Sequence, residues 1–273
     1  MENQTVSKVI LTQKEADEYC SYKRQKKILE IMAAFRRTES ELSANDSAVK
    51  LGEQALRLRQ LAVKMTPSEL VSRGVAIHKN GVKTDCIVGG TGETFASVKA
   101  YEAKRAWREG AKEITLILTP SLIASCRYTE LRKEIRLVRR SAKRALLKAR
   151  VEKVYPQATM ERLIHICAEL GANCFSFPYF VGCERLLSFC KRGCLLEVSG
   201  IDTLPVLKEM AGAGMGRMIV KGAWEVYCEW LKEVELIVPE QEKETALLPP
   251  PEREEILPTE EEELVGIPSI TCV

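Results

Sequence analysis

No stretch of about 18 apolar residues occurs anywhere in the chain, so no membrane-spanning helix is expected. Met1 to Thr12 lacks an apolar run behind a basic start, and we expect no secretion signal and a cytoplasmic setting. Histidine is scarce: His78 and His165 are the whole complement, and neither sits in a ligand pattern. Ten cysteines are present, but Cys183, Cys190 and Cys194 lack Cys-x-x-Cys spacing. Reduced, partly buried thiols are expected, with no metal and no cofactor. Charge of one sign is also missing, since 41 basic against 38 acidic residues leave +3, a balance pointing to neither nucleic acid nor membrane. A dinucleotide fingerprint is absent in function if not in letters: Gly212-Ala-Gly-Met-Gly216 precedes a strand instead of following one.

What the chain does have is enough apolar material, 45% of 273 residues, to bury the core of one main domain of barrel size. Thr12 and Glu15 form a capping box for a helix whose apolar residues recur through Phe35. Asp46 can cap a second helix running through Leu61, and Thr66-Pro67-Ser68-Glu69 caps a third. From Val82 onward short β-prone segments alternate with amphipathic ones, the pattern of a parallel sheet with crossover helices. The spacing predicts strands at Leu61 to Met65, Val82 to Val88, Glu113 to Leu118, Ala149 to Val154, Asn173 to Phe177, Cys194 to Val198 and Arg217 to Val220. A further one is predicted near Ala33 to Arg37. That makes about eight, the number that closes a (β/α)8 TIM barrel, with a doubly wound open sheet as the competing architecture. The expected division is a helical extension over 1–32, the barrel over 33–238, and a disordered acidic tail rich in proline and glutamate over 239–273.

Three stretches in order, Gly81 to Gly90, Val98-Lys-Ala-Tyr-Glu-Ala-Lys104 and Glu109-Gly-Ala-Lys-Glu-Ile114, resemble the deoxyribose-phosphate aldolase family. In that family a strand ends in a glycine turn, an EAK helix follows, and GADEID opens the next strand. Glu169 to Asn173, Ser199-Gly200 with Asp202-Thr203, and Ala211 to Arg217 extend the resemblance, which spans Ala33 to Trp230. It implies the aldolase barrel and a class I mechanism through a Schiff-base lysine. The implied catalytic positions, however, read Ser176 for the nucleophilic lysine, Glu197 for its neighbouring lysine and Thr115 for the aspartate. Such an amine must be uncharged near pH 7, which a second cation beside it promotes and a carboxylate opposes. Serine forms no imine, so ordinary aldolase chemistry is not expected at this position.

The resemblance also implies a phosphate loop at Ser199 and Gly200, from which the chain departs by one missing glycine and by Val220-Lys221-Gly222 in place of small hydroxyl residues; a helix N-terminus at Gly222 and the charge of Lys221 would still attract an anion. Two readings from different classes follow. One is a non-catalytic barrel retained as a binder of a small phosphorylated ligand or as an interaction scaffold. The other is an active carbon-carbon lyase in which Lys64 or Lys221 replaces the missing amine and Glu197 acts as acid or base. Against the second, Lys64 is more simply an ion-pair partner of Glu197 or Asp85, and Lys221 a solvated helix-start residue. The Gly89-Gly-Thr-Gly92 turn reads as a strand-to-helix connection before a phosphate loop. Arg132, Arg136, Arg139, Arg140, Lys143 and Arg144 line one stripe of Thr129 to Leu147; without aromatics after Tyr128 it reads as a solvated outer helix, and nucleic acid is not an expected partner. The stripe could also receive the acidic tail. A homo-oligomer is left open.

Overall fold

The computed structural model describes residues 13–142, 144–190 and 193–235. The expected tail over 239–273, the Thr12 cap and Lys143 lie outside the described residues. Helix α1 (Gln13–Phe35) leads into strand β1 (Thr38–Glu41). Seven further strands follow: β2 (Ala62–Met65), β3 (Thr84–Val88), β4 (Glu113–Ile117), β5 (Leu146–Arg150), β6 (Cys174–Pro178), β7 (Leu195–Ile201) and β8 (Arg217–Val220). All pair in parallel in sequence order, and β8 closes on β1 through Thr38 with Met218 and Glu39 with Ile219. The described residues thus form a (β/α)8 barrel, and the open sheet is excluded by that closing pair.

Between the strands run α2 (Ala48–Arg57), α3 (Pro67–Lys79), α4 (Ala96–Arg108), the short α5 (Pro120–Ala124), α6 (Tyr128–Ser141), α7 (Gln157–Glu169), α8 (Leu204–Gly212) and, after β8, α9 (Ala223–Glu235). A 3-10 segment, Cys183–Phe189, connects β6 to β7. The Thr66 capping box is present in full, with the Thr66 amide donating to the Glu69 carboxylate. Helix α2 is capped by Ser47, while Asp46 accepts from the Ser43 amide one turn earlier, and the helix stops at Arg57.

Two strands differ in place from the sequence expectation. Residues 33–35 are the last turn of α1, where Ala34 and Phe35 are buried and the Phe35 ring meets Tyr227 edge-on at 5.4 Å. The strand begins three residues later in Thr38-Glu-Ser-Glu, a run without a single apolar residue to announce it. Strand β5 covers Leu146–Arg150 instead of Ala149 to Val154, and the basic helix ends at Ser141. Leu147, Ala149 and Val151 are buried and alternate with Lys148 and Arg150, so the apolar set turns to the helices.

The same alternation sorts the whole barrel. Ile114, Leu116, Phe175, Phe177, Leu196 and Val198 are buried in the layer between sheet and helices. Each such side chain contributes about 1.5–3 kcal/mol on burial, which makes this layer the main source of stability. The inner face carries a different chemistry.

Candidate functional site in the barrel interior

Glu39 on β1, Lys64 on β2, Asp85 on β3, Glu113 and Thr115 on β4, Lys148 on β5, Glu197 on β7 and Arg217 on β8 all project inward, each almost wholly buried. A barrel interior is ordinarily filled by layers of branched apolar side chains. Here four carboxylates and three cations fill its middle, a formal charge of −1.

Lys148 is the hub. Its Nζ lies 2.5 Å from Glu39, 2.7 Å from Glu197, 2.9 Å from Asp85 and 3.1 Å from Glu113. Lys64 donates to Glu197 and to the Thr115 hydroxyl at 3.1 Å each, and Asp85 stands at 3.1 Å. Arg217 reaches Glu39 and Glu113, both at 2.5 Å. The Thr115 hydroxyl in turn faces Asp85 at 2.8 Å. Glu39, Asp85 and Glu113 gather carboxylate oxygens within 4.8 Å of one another, a spacing that could hold a metal ion. The Lys148 ammonium stands among these three groups and supplies the cation there.

Burial alone would drive every one of these groups toward its neutral form, and the partners decide the outcome. For Lys64, burial lowers the pKa, but Asp85 and Glu197 more than reverse it and the net shift is upward. Lys148 is raised well above the ordinary lysine value against the same burial, chiefly by Asp85, Glu197 and Glu39. Burial pushes Asp85 up, yet Lys148 and Lys64 hold it at about 2. Glu197 is likewise driven well below the usual range by Lys148 and Lys64 in spite of burial. Glu39 is the exception: burial and the charge of Glu197 raise it to about 7, against the lowering by Lys148, Lys64 and Arg217.

The residues singled out from the sequence are distributed unevenly in this arrangement. Lys64, Glu197 and Thr115 come together in the buried centre. Ser176 sits beside Glu197 in the β6–β7 register, fully buried, with its hydroxyl unpartnered. Ser199 and Gly200 lie at the C-terminal end of β7, and the Ser199 hydroxyl is spent on the Phe177 carbonyl. Gly200 has φ +80° at an irregularity in the β7–β8 pairing, a conformation that suits glycine. Lys221 is exposed past β8, its amide bonded to the Ile201 carbonyl at 2.7 Å, and Gly222 precedes α9. Lys221 and Lys64 therefore occupy different depths, one at the rim and one in the centre. In the Gly89 turn, the Gly89 amide donates to Glu102 at 2.7 Å, and a Cβ at Gly92 would meet the Leu118 carbonyl at 2.8 Å. Arg132 of the basic stripe pairs with Glu169 at 2.5 Å. The buried thiols Cys86, Cys167, Cys174 and Cys194 are all raised by burial, which keeps them protonated.

Glu39, Glu113, Lys148, Arg150 and Arg217 were missed as members of the interior. For Lys148 and Arg150 the usable signal was a charged residue between apolar neighbours, as in Leu147-Lys148-Ala149; Glu39, Glu113 and Arg217 carry no such pattern.

No family model matches the chain. Among curated proteins, it is 29% identical over 142 residues to a deoxyribose-phosphate aldolase of Coccidioides immitis, a match covering 51% of this chain and 52% of that protein. It is 34% identical over 88 residues to the deoxyribose-phosphate aldolase of Actinobacillus succinogenes, covering 32% and 38%. The matches thus span about half or less of these curated relatives. In three dimensions the chain resembles the tetrameric deoxyribose phosphate aldolase of Aeropyrum pernix with a TM-score of 0.65 at 21% identity, over 77% of this chain and 97% of that one. That likeness supports the fold, and the sequence neighbours point to the deoxyribose-phosphate aldolase family at low identity. No helix among the described residues is long and apolar enough to cross a membrane.

Proposed function

We propose that this chain is a cytoplasmic aldolase-like barrel that binds a small phosphorylated ligand without Schiff-base chemistry. The observation that carries the reading is the state of the two central lysines. Lys64 and Lys148 are fully buried, each faces at least two carboxylates within 3.1 Å, and both are raised above the ordinary lysine value. An amine in that setting stays an ammonium and has no lone pair to offer a carbonyl. Ser176, Glu197 and Thr115, at the positions the resemblance assigns to catalysis, offer no amine of their own.

Phosphate binding is assigned to Ser199, Gly200, Lys221 and Gly222. In its favour, the ends of β7 and β8 are joined by the Lys221 amide, and α9 starts beside Gly222 with Lys221 exposed next to it. We assign the ligand-binding unit to 33–238, between the extension 1–32 and the tail 239–273. A homo-oligomer is part of the proposal, in keeping with the tetrameric relative.

The test is borohydride trapping of the purified chain with deoxyribose 5-phosphate and with acetaldehyde, read by intact mass and peptide mapping beside an active aldolase. We expect no adduct while the control traps normally. A stable adduct on Lys64 or Lys221 would overturn the reading in favour of a lyase with a relocated lysine.

A further inference from the structure

Two polar side chains on the inner face of the barrel lack the partners that burial demands. Arg150 Nε and Nη1 and Ser176 Oγ are buried without a hydrogen bond. Glu152 Oε1 comes within 2.8 Å of the Arg150 Nε but out of line for a bond, and the Glu152 side chain is 43% exposed.

These groups belong to one place. Arg150 and Ser176 are register partners on the adjacent strands β5 and β6. Arg150 follows the inward Lys148 by two residues, and Ser176 neighbours the inward Glu197, so both share the inner face, Ser176 beside the charged centre and Arg150 one step beyond Lys148. That step lies toward the C-terminal ends of the strands, where barrel ligands collect. The Arg150 side chain is 14% exposed, while Ser176 and the unpartnered Arg150 nitrogens are shielded from solvent. The loops leaving β5 and β6 also line a half-open cavity of about 200 Å³ at Tyr155, Gln157, Phe180, Val181, Gly182, Arg185 and Leu186, a wall that includes neither Arg150 nor Ser176.

We infer that the ends of β5 and β6 form a carboxylate subsite, in which Arg150 and the Ser176 hydroxyl donate to the oxygens of a short-chain organic acid. Charge limits the subsite to one negative group: its one guanidinium, already 2.8 Å from the Glu152 carboxylate, stands above a centre in which carboxylates outnumber cations. A guanidinium also matches the planar carboxylate group. Ser176 is fully buried, and the close packing around it limits the acid to a small one. This inference rests on the reading of the barrel as a binder and deepens it, because with the phosphate subsite at β7 and β8 the ligand becomes a phosphorylated short-chain acid.

The experiment is an NMR titration of the full chain with lactate, with its neutral counterpart lactamide and with inorganic phosphate. It is repeated for Arg150→Gln, Arg150→Lys and Ser176→Ala after their melting temperatures confirm folding. Lactate should bind and lactamide should not. Arg150→Gln should weaken lactate about tenfold or more, and Ser176→Ala by less, since the guanidinium bond is charge-assisted. Arg150→Lys keeps the charge and should retain part of the affinity. Phosphate binding should be indifferent to Arg150. A silent lactate titration, lactate affinity unchanged in Arg150→Gln, or phosphate binding that depends on Arg150 would each overturn the subsite. The titration involves no covalent step, so its failure is distinct from the appearance of a trapped lysine adduct.

Discussion

Two buried lysine sites in this molecule obey opposite rules. In the barrel centre Lys64 and Lys148 each face several carboxylates and are raised above their ordinary value despite burial. Outside the barrel, Lys99 of α4 is equally inaccessible, yet burial lowers it, because Glu134 at 3.1 Å is its close carboxylate and its other contacts are neutral: the Ile117 carbonyl at 2.9 Å and the Thr119 hydroxyl at 2.8 Å. Desolvation acts on both sites, and the number of facing carboxylates sets the sign. A barrel that needed a neutral amine would place its lysine as Lys99 is placed, or beside another cation. This one surrounds its central lysines with acids, and that surrounding is an arrangement for holding charge.

The comparison is broken most directly at Lys148. Replacing it with methionine leaves Glu39, Asp85, Glu113 and Glu197 with only Lys64 and Arg217, and uncompensated buried charge costs about 3–5 kcal/mol. That is a large part of the total stability of a domain. Urea unfolding should show the midpoint of Lys148→Met far below that of the parent chain. Adding Glu39→Gln should recover part of the loss. A midpoint unchanged in Lys148→Met would mean that the network carries no such charge.

The next effect is one of pH. Glu39 titrates near 4.5 unfolded and at about 7 in the folded chain. A raised carboxylate contributes stability that is fully present below the unfolded value and lost as pH rises through the folded one. Asp85, held at about 2, and Glu197, held well below the usual range, act in reverse: their stability is present above about pH 4 and lost as pH falls. Stability should therefore peak near pH 4 to 5 from these groups and decline toward pH 7, by up to about 3 kcal/mol for Glu39. Glu39→Gln should flatten that decline and leave the acid limb in place. A variant with the parent's full slope between pH 5 and 7 would move the proton to another member of the cluster.

The barrel was legible in the sequence because its outer layer follows the rules of alternation and capping. Thr66 with Glu69, and the apolar alternation around Ile114 and Val198, act locally and leave a local pattern. The interior is not local. Glu39 sits in a run with no apolar neighbours, and its strand is defined by pairing with Ala62 and Ile219, residues far along the chain. Lys148 was hidden by a register error: starting β5 at Ala149 places the hub of the network in a loop. Lys64, Glu197 and Thr115 were found because their positions matched a known arrangement, while Arg150 and Ser176 became a pair only when the β5–β6 register was known.

The smallest effect, and the one that sharpens the comparison, is expected at Lys99. In Lys99→Met the Glu134 carboxylate keeps the Thr119 amide and hydroxyl as donors, so the charge left behind is still hydrogen-bonded. The loss should then lie near the low end of the range for an unmade buried bond, about 1–2 kcal/mol. Replacing both members, Lys99→Met with Glu134→Leu, should cost little more than the single change, because an isolated pair can give way to apolar packing as the central network cannot. Urea midpoints for the single and double variants measure both quantities. If Lys99→Met cost as much as Lys148→Met, carboxylate number would not be what separates the two sites, and inaccessibility to solvent, which they share, would have to carry the explanation.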